Sequence, residues 1–115
     1  MRRGDIYWVD LEPATGNEAN KIRPAILVSN DAVNHRADRL GRGVVTVVPL
    51  TSNTARVHPF QVMLTAAETG LPTDSKAQAE QVRSISVRRL GKHAGRVAAK
   101  QLRAVDNALR LHLDL

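Results

Sequence analysis

Val44-Val45-Thr46-Val47-Val48-Pro49-Leu50 is the strongest β signal in the chain, an unbroken series of β-branched residues closed by a proline. Proline has no N–H to give to a ladder. Pro49 is therefore expected at a strand end, an edge or a bulge, and the residues just after it are expected to leave the sheet. Toward the N-terminus, Pro24 to Ser29 is a short continuous apolar run and Ile6 to Leu11 mixes aromatic with branched residues, so both read as strands. Downstream, Phe60 to Leu64 supplies a fourth strand and Ala77 to Ser86 a fifth.

The connecting segments have their own chemistry. Pro13 to Asn20 holds proline and glycine with few apolar anchors and is expected to be mobile. Asp31 to Arg39 suits a short polar helix capped by Asn30 or Asp31, Ser52 to Pro59 a second exposed loop, and Thr65 to Gly70 a helical turn closed by its glycine. The period then changes. Ala98, Leu102, Val105, Leu109 and either His112 or Leu113 recur at three- and four-residue spacing, one face of an amphipathic helix, while Lys100, Arg103, Asp106 and Arg110 fall away from it. Several short strands with one closing helix predict a mainly β, α+β fold: a small β-barrel with helical excursions, in one domain over 1–115.

Composition narrows the function. With 43% hydrophobic and 24% charged residues the 115-residue chain has the balance of a folded domain rather than a disordered one. A domain this small leaves much of its surface exposed, so the terminal apolar helix also suits self-association. Lys and Arg outnumber Asp and Glu by 17 to 11, giving +6 and a pI near 10.8, so polyanions are attracted at neutral pH. Most of those cations are arginines, whose planar fork of donors matches phosphate, which makes nucleic acid the leading partner class. The absence of cysteine excludes disulfides, thiolate zinc sites and a cysteine nucleophile. Met1-Arg2-Arg3 begins like the charged region of a signal peptide, but Gly4-Asp5 interrupts it, and no apolar run approaches bilayer length; a cytoplasmic location is expected.

Two residues stand out as candidates for chemistry. Arg23 directly precedes Pro24, which favours an extended backbone, at the point where a polar loop hands over to an apolar strand. That is a place to hold a phosphate, although the commoner fate of an arginine is a surface salt bridge. Thr51 follows Val48-Pro49-Leu50 and precedes Ser52-Asn53; alone, Thr-Ser-Asn reads as a turn whose side chains bond their own backbone. Two histidines would suffice for acid-base cleavage of RNA, but His35, His58, His93 and His112 show no metal-ligand spacing and read as surface or loop residues. Of these, His58 is the one expected to border the groove.

Gly4-Asp5-Ile6-Tyr7-Trp8, Lys21-Ile22-Arg23-Pro24 before an apolar run, Pro49-Leu50-Thr51-Ser52, and Asp74-Ser75 ahead of Glu80-Gln81-Val82-Arg83 together resemble the MazF/PemK/Kid family of toxin endoribonucleases. Their order and spacing cover nearly the whole chain. Gly16-Asn17-Glu18 stands where the family carries Gly-Ser-Glu, so a hydrogen-bonding side chain is kept but its contact changes. The resemblance implies the small SH3-like barrel shared by CcdB and PemK proteins, and an Arg23/Thr51 pair at the scissile phosphate with Glu18 as a third catalytic candidate. It also implies single-stranded RNA as substrate, with no metal or cofactor. The ribose 2′-hydroxyl would attack the adjacent phosphorus, leaving a 2′,3′-cyclic phosphate and a 5′-hydroxyl.

In that mechanism the protein aligns the reacting atoms and stabilises extra charge. A guanidinium stays protonated and is a very poor base, so Arg23 would stabilise the transition state and assist the leaving oxygen, and Thr51 would donate to a phosphoryl oxygen. Glu18 would accept the 2′-proton or only order its loop. Asn17, Lys21, Ser52, Asn53, Arg56, Gln78 and Gln81 are the expected RNA contacts. Tyr7, Trp8 and Phe60 lie in strands and are expected in the core rather than as stacking platforms. The resemblance further implies a homodimer and an acidic MazE-like antitoxin whose C-terminal segment lies across the basic groove.

Two other classes compete. CcdB-like proteins use the same barrel to poison DNA gyrase without cleaving anything; then the final helix would carry activity and Arg23 and Thr51 would be dispensable. The Lys-x-Arg-Pro and Pro-Leu-Thr-Ser motifs favour the ribonuclease. A non-catalytic nucleic-acid-binding barrel is favoured by charge alone.

Overall fold

Two interior faces organise the computed structural model, which describes residues 1–115. Its strands are β1 (Asp5–Asp10), β2 (Ile22–Leu27), β3 (Val44–Thr51), β4 (Gln61–Leu64), β5 (Ser75–Gln78), β6 (Arg83–Ser86) and β7 (Leu90–Arg96). The helices are α1 (Asp31–Leu40), α2 (Ala66–Thr69) and α3 (Ala99–Leu113). Adjacent residues on the central strands point into opposite cores. Ile26 and Val48 join Ile6, Leu50, Leu64 and Val97 on the face that α3 covers with Val105. Leu27 and Val47 join Val9, Leu11, Val45 and Ile85 on the face that α1 covers with Ala37. Where these strands are buried on both faces, at Ala25–Leu27 and at Val47–Leu50, every position is apolar and no alternation shows.

All pairings are antiparallel, in the order β4-β5-β3-β2-β1-β7, with β6 also paired to β3. No ladder joins β4 to β7, so the sheet is open, and the expected SH3-like barrel does not form: the fold is mixed α/β. The elements at the two ends show why. β7 runs against β1 with two register shifts, and α3 packs on β4 and on the 3-10 turn Ala79–Gln81, covering a face that a barrel would close with its own sheet.

Several local expectations also change. Pro49 sits inside β3, buried and opposite Ala25, and the strand continues through Thr51. On the edge away from β2 the partner changes there, since β6 pairs through Val47 and β5 begins at Leu50, and proline falls in the gap between them. Ala77–Ser86 is not one strand, because the turn at Ala79–Gln81 divides it between β5 and β6. β7 has no apolar pattern and was not expected; β1 needs a partner on its free edge, and the buried Asp5 carboxylate binds Arg96 at 2.7 Å. The helices follow their signals: Asn30 caps α1 through Val33 N–H, and Thr65 with Glu68 forms a capping box for α2. Asp106, expected to point away from the core, is half-buried and paired with Arg3. No helix is long and apolar enough to cross a membrane.

Candidate active site

The register between β2 and β3 pairs Ala25 with Pro49, and continuing it two residues brings Arg23 opposite Thr51. Arg23 Nη1 donates to Thr51 Oγ1 at 3.3 Å. The guanidinium is held on its other side by Asn20, whose backbone oxygen accepts from Nε at 2.7 Å and whose side-chain oxygen accepts from Nη2 at 3.1 Å. No carboxylate lies within ion-pair distance of Arg23, so its orientation is fixed by neutral acceptors and its charge is left uncompensated. Each Nη keeps one N–H free, the fork that suits a phosphoryl group.

Thr51 is poised in a complementary way. Its oxygen accepts from Arg23 and from Asn53 N–H at 3.3 Å, which uses its acceptor capacity and leaves its own O–H free to donate. Arg23 and Thr51 line a cleft of about 240 Å³ with Trp8, Lys21, Ile22, Pro24, Leu50, Ser52, Thr73 and Ser75. Trp8 therefore lines the cleft half-buried instead of filling the core. Tyr7 and Phe60 are half-buried as well, each against a histidine: His93 edge-on to Tyr7 and His58 stacked on Phe60, both at 5.2 Å between centroids. Asn20 and Thr73 carry no motif and were missed, and Ser75 stood in the Asp74-Ser75 motif without being marked as lining the cleft; the only signal for Asn20 was its spacing of three residues before the arginine.

The loop between β1 and β2 is strapped down along its length, contrary to the mobility its composition suggested. Gln81 spans it, donating to Asn17 O at 2.9 Å and accepting from Ala19 N–H at 2.9 Å. Arg83 donates to Leu11 O at 3.2 Å, and Arg89 to Asp10 O and Glu12 O. Lys21 takes a left-handed φ of 65°, with its N–H on a Glu12 carboxylate oxygen at 2.8 Å, and this bend delivers the chain into Arg23.

The remaining sequence candidates are spread around the pair. Glu18 is exposed, caps Thr15 N–H at 2.8 Å and lines a separate cleft with Ala19, Glu80, Gln81, Val82 and Arg83, so it does not meet Arg23 and Thr51. Ser52 and Lys21 lie at the cleft, while Asn17, Asn53 and Arg56 are exposed on the two flanking loops. Gln78 is half-buried at the end of β5 opposite Gln61, and both ends of the Gln81 amide are occupied by the loop it clamps. His58, expected to border the groove, is half-buried against Phe60. No cluster of three or more His, Asp or Glu side chains suited to a metal ion is present. Asp5, Asp31 and Glu68, whose carboxyls are held below their ordinary values by hydrogen bonds, do not line the cleft.

Comparison with known proteins places the whole chain. The family model for the PemK-like, MazF-like toxins of type II toxin-antitoxin systems matches residues 2–113. The chain is 63% identical over 115 residues to endoribonuclease MazF9 of Mycobacterium tuberculosis, strain ATCC 25618 / H37Rv, covering 100% of this chain and 98% of that protein. It is 37% identical over 116 residues to endoribonuclease MazF6 of the same strain, covering 100% and 98%. A crystal structure of MazF from Deinococcus radiodurans superposes with a TM-score of 0.81 at 27% identity, covering 100% of this chain and 97% of the other. A mycobacterial endoribonuclease solved in complex with its cognate antitoxin gives 0.77 at 25% identity, covering 100% and 96%.

Proposed function

The chain belongs to the PemK-like, MazF-like toxins of type II toxin-antitoxin systems and is an endoribonuclease of that family, and we propose that it cleaves single-stranded RNA at the Arg23–Thr51 pair without a metal. The observation that carries this reading is the uncompensated Arg23 guanidinium held beside a hydroxyl whose proton is free. The ribose 2′-oxygen attacks the adjacent phosphorus, the bond to the 5′-oxygen breaks, and the leaving oxygen takes up a proton as the 2′-hydroxyl loses one. Arg23 and Thr51 face the phosphoryl oxygens, where negative charge grows, and removal of one such preorganised donor costs about 10²–10³ in rate. Because Glu18 caps its own loop outside the cleft, its role is to order that loop.

Lys21 and Ser52 contact the RNA next to the scissile bond, Asn53, Arg56 and Asn17 contact bases and phosphates from the two flanking loops, Gln78 does so further along β5, and Gln81 serves as the clamp of the β1–β2 loop. The +6 charge draws RNA to this face and also suits an acidic MazE-like antitoxin laid across it, since a mycobacterial neighbour was solved with its cognate antitoxin. The acting species is a homodimer in the cytoplasm, where the RNA is. Relatives named as endoribonucleases are what the enzyme reading expects and the gyrase-poison reading does not.

The test is incubation of the protein, with EDTA, on a long end-labelled RNA beside DNA of the same sequence. The expected result is a few defined RNA fragments with 5′-hydroxyl ends and intact DNA. An intact RNA of varied sequence would reject the reading.

A further inference from the structure

Lys76 is the one buried lysine of the chain, with 8% of its surface exposed. It lies on β5 directly opposite Thr51 of β3, and opposite Met63 of β4 on its other side. Its chain neighbour Ala77 and Thr51's neighbour Leu50 both belong to the α3-covered core, so Lys76 and Thr51 share the other face of the sheet. The ammonium has no carboxylate within ion-pair distance. Its single partner is a backbone oxygen, that of Arg56 in the loop between β3 and β4, at 2.5 Å.

A buried ammonium with three N–H groups and one carbonyl acceptor is a poor contributor to stability, because desolvation of the charge is only partly offset. A methionine of similar length would pack there without that cost. The bond instead ties the middle of the β3–β4 loop to the strand beneath Thr51. That loop begins at Ser52 and Asn53 and carries Arg56, and Thr51 Oγ1 already accepts from Asn53 N–H.

We infer that Lys76 is a positioning residue for the RNA site: its ammonium fixes the β3–β4 loop through the Arg56 carbonyl, so that Ser52, Asn53 and Arg56 are held beside the Arg23–Thr51 cleft before substrate arrives. This rests on the ribonuclease reading above. The loop contacts exist in ground state and transition state alike, so the tie acts on substrate affinity more than on the chemical step.

The test compares the parent protein with Lys76→Met and Lys76→Arg on an RNA oligonucleotide carrying a cleavage site mapped with the parent, alongside thermal unfolding. Lys76→Met is expected to raise KM about 10-fold with kcat within about 3-fold. Its unfolding midpoint should not fall, because the uncompensated buried charge is gone. Lys76→Arg, which keeps charge and donors, is expected to bring KM back to within about 3-fold of the parent. An unchanged KM in Lys76→Met, or a joint loss of kcat and melting temperature that arginine does not rescue, would overturn the inference. Arg23→Ala, run in parallel, tests the underlying reading separately: parental cleavage by that variant would remove the ribonuclease assignment whatever Lys76 does.

Discussion

At the scale of single residues, local chemistry alone favoured a surface salt bridge for Arg23 and a turn for Thr51, and it was the resemblance to a family that singled them out together; the β2–β3 register makes them neighbours. Asn20 was not legible, since its spacing from the arginine means little until the fold turns both its oxygens onto the guanidinium. Thr51→Val keeps the shape and removes the hydroxyl, so single-turnover cleavage should slow about 10²-fold with little change in RNA affinity. Asp5 poses a separate question of stability. Burial pushes its carboxyl up, but Arg2 N–H and the Arg96 guanidinium outweigh this and hold it below the ordinary value of 3.8. A carboxyl lowered in the folded state adds stability above its unfolded value and loses that contribution as pH falls through the folded one. Asp5→Asn should therefore be less stable than the parent by about 1–3 kcal/mol at neutral pH, with the gap closing in acid, as read by urea unfolding at both pH values.

At the scale of elements, the β-branched run, the Asn30 cap, the glycine that closes Thr65 to Gly70 and the amphipathic period of α3 each specified a local structure that forms. Sequence failed where long-range pairing decides. β7 is a strand because β1 offers it an edge and Asp5 binds Arg96, and neither fact is visible in Leu90-Gly91-Lys92-His93-Ala94-Gly95-Arg96. Its Gly95 is required by close approach rather than by an unusual dihedral, since a Cβ there would lie 2.2 Å from the Thr69 carbonyl oxygen at the end of α2. Gly95→Ala must push α2 off β7, and a cost of about 1–3 kcal/mol is expected in the urea midpoint. The loop between β1 and β2 also misled, because its composition is that of a mobile segment while its straps come from Gln81, Arg83 and Arg89, far away in sequence.

At the scale of the whole molecule, a closed barrel was the natural reading of many short strands, and the open sheet corrects it because nothing in strand count specifies whether the two ends meet. The opening does not disturb the site, which lies on β2 and β3 in the middle of the sheet. A wider groove of about 370 Å³ between α1 and β3 is lined by Val33, Ala37, Leu40 and Val44 with Arg36 and Arg42, and holds no arrangement like the Arg23–Thr51 pair. The net charge of +6 predicts that RNA binding weakens as salt rises, with a slope set by the number of phosphates contacted. In the proposed mechanism the RNA supplies its own nucleophile while Arg23 and Thr51 stabilise the phosphorane-like state. The most direct measurement replaces one nucleotide of a mapped substrate, the one 5′ to the scissile phosphate, with its 2′-deoxy form and follows cleavage in EDTA. This bond should stay intact while cleavage elsewhere in a longer RNA continues; scission at the parental rate would show that something other than the 2′-hydroxyl attacks and would contradict the mechanism.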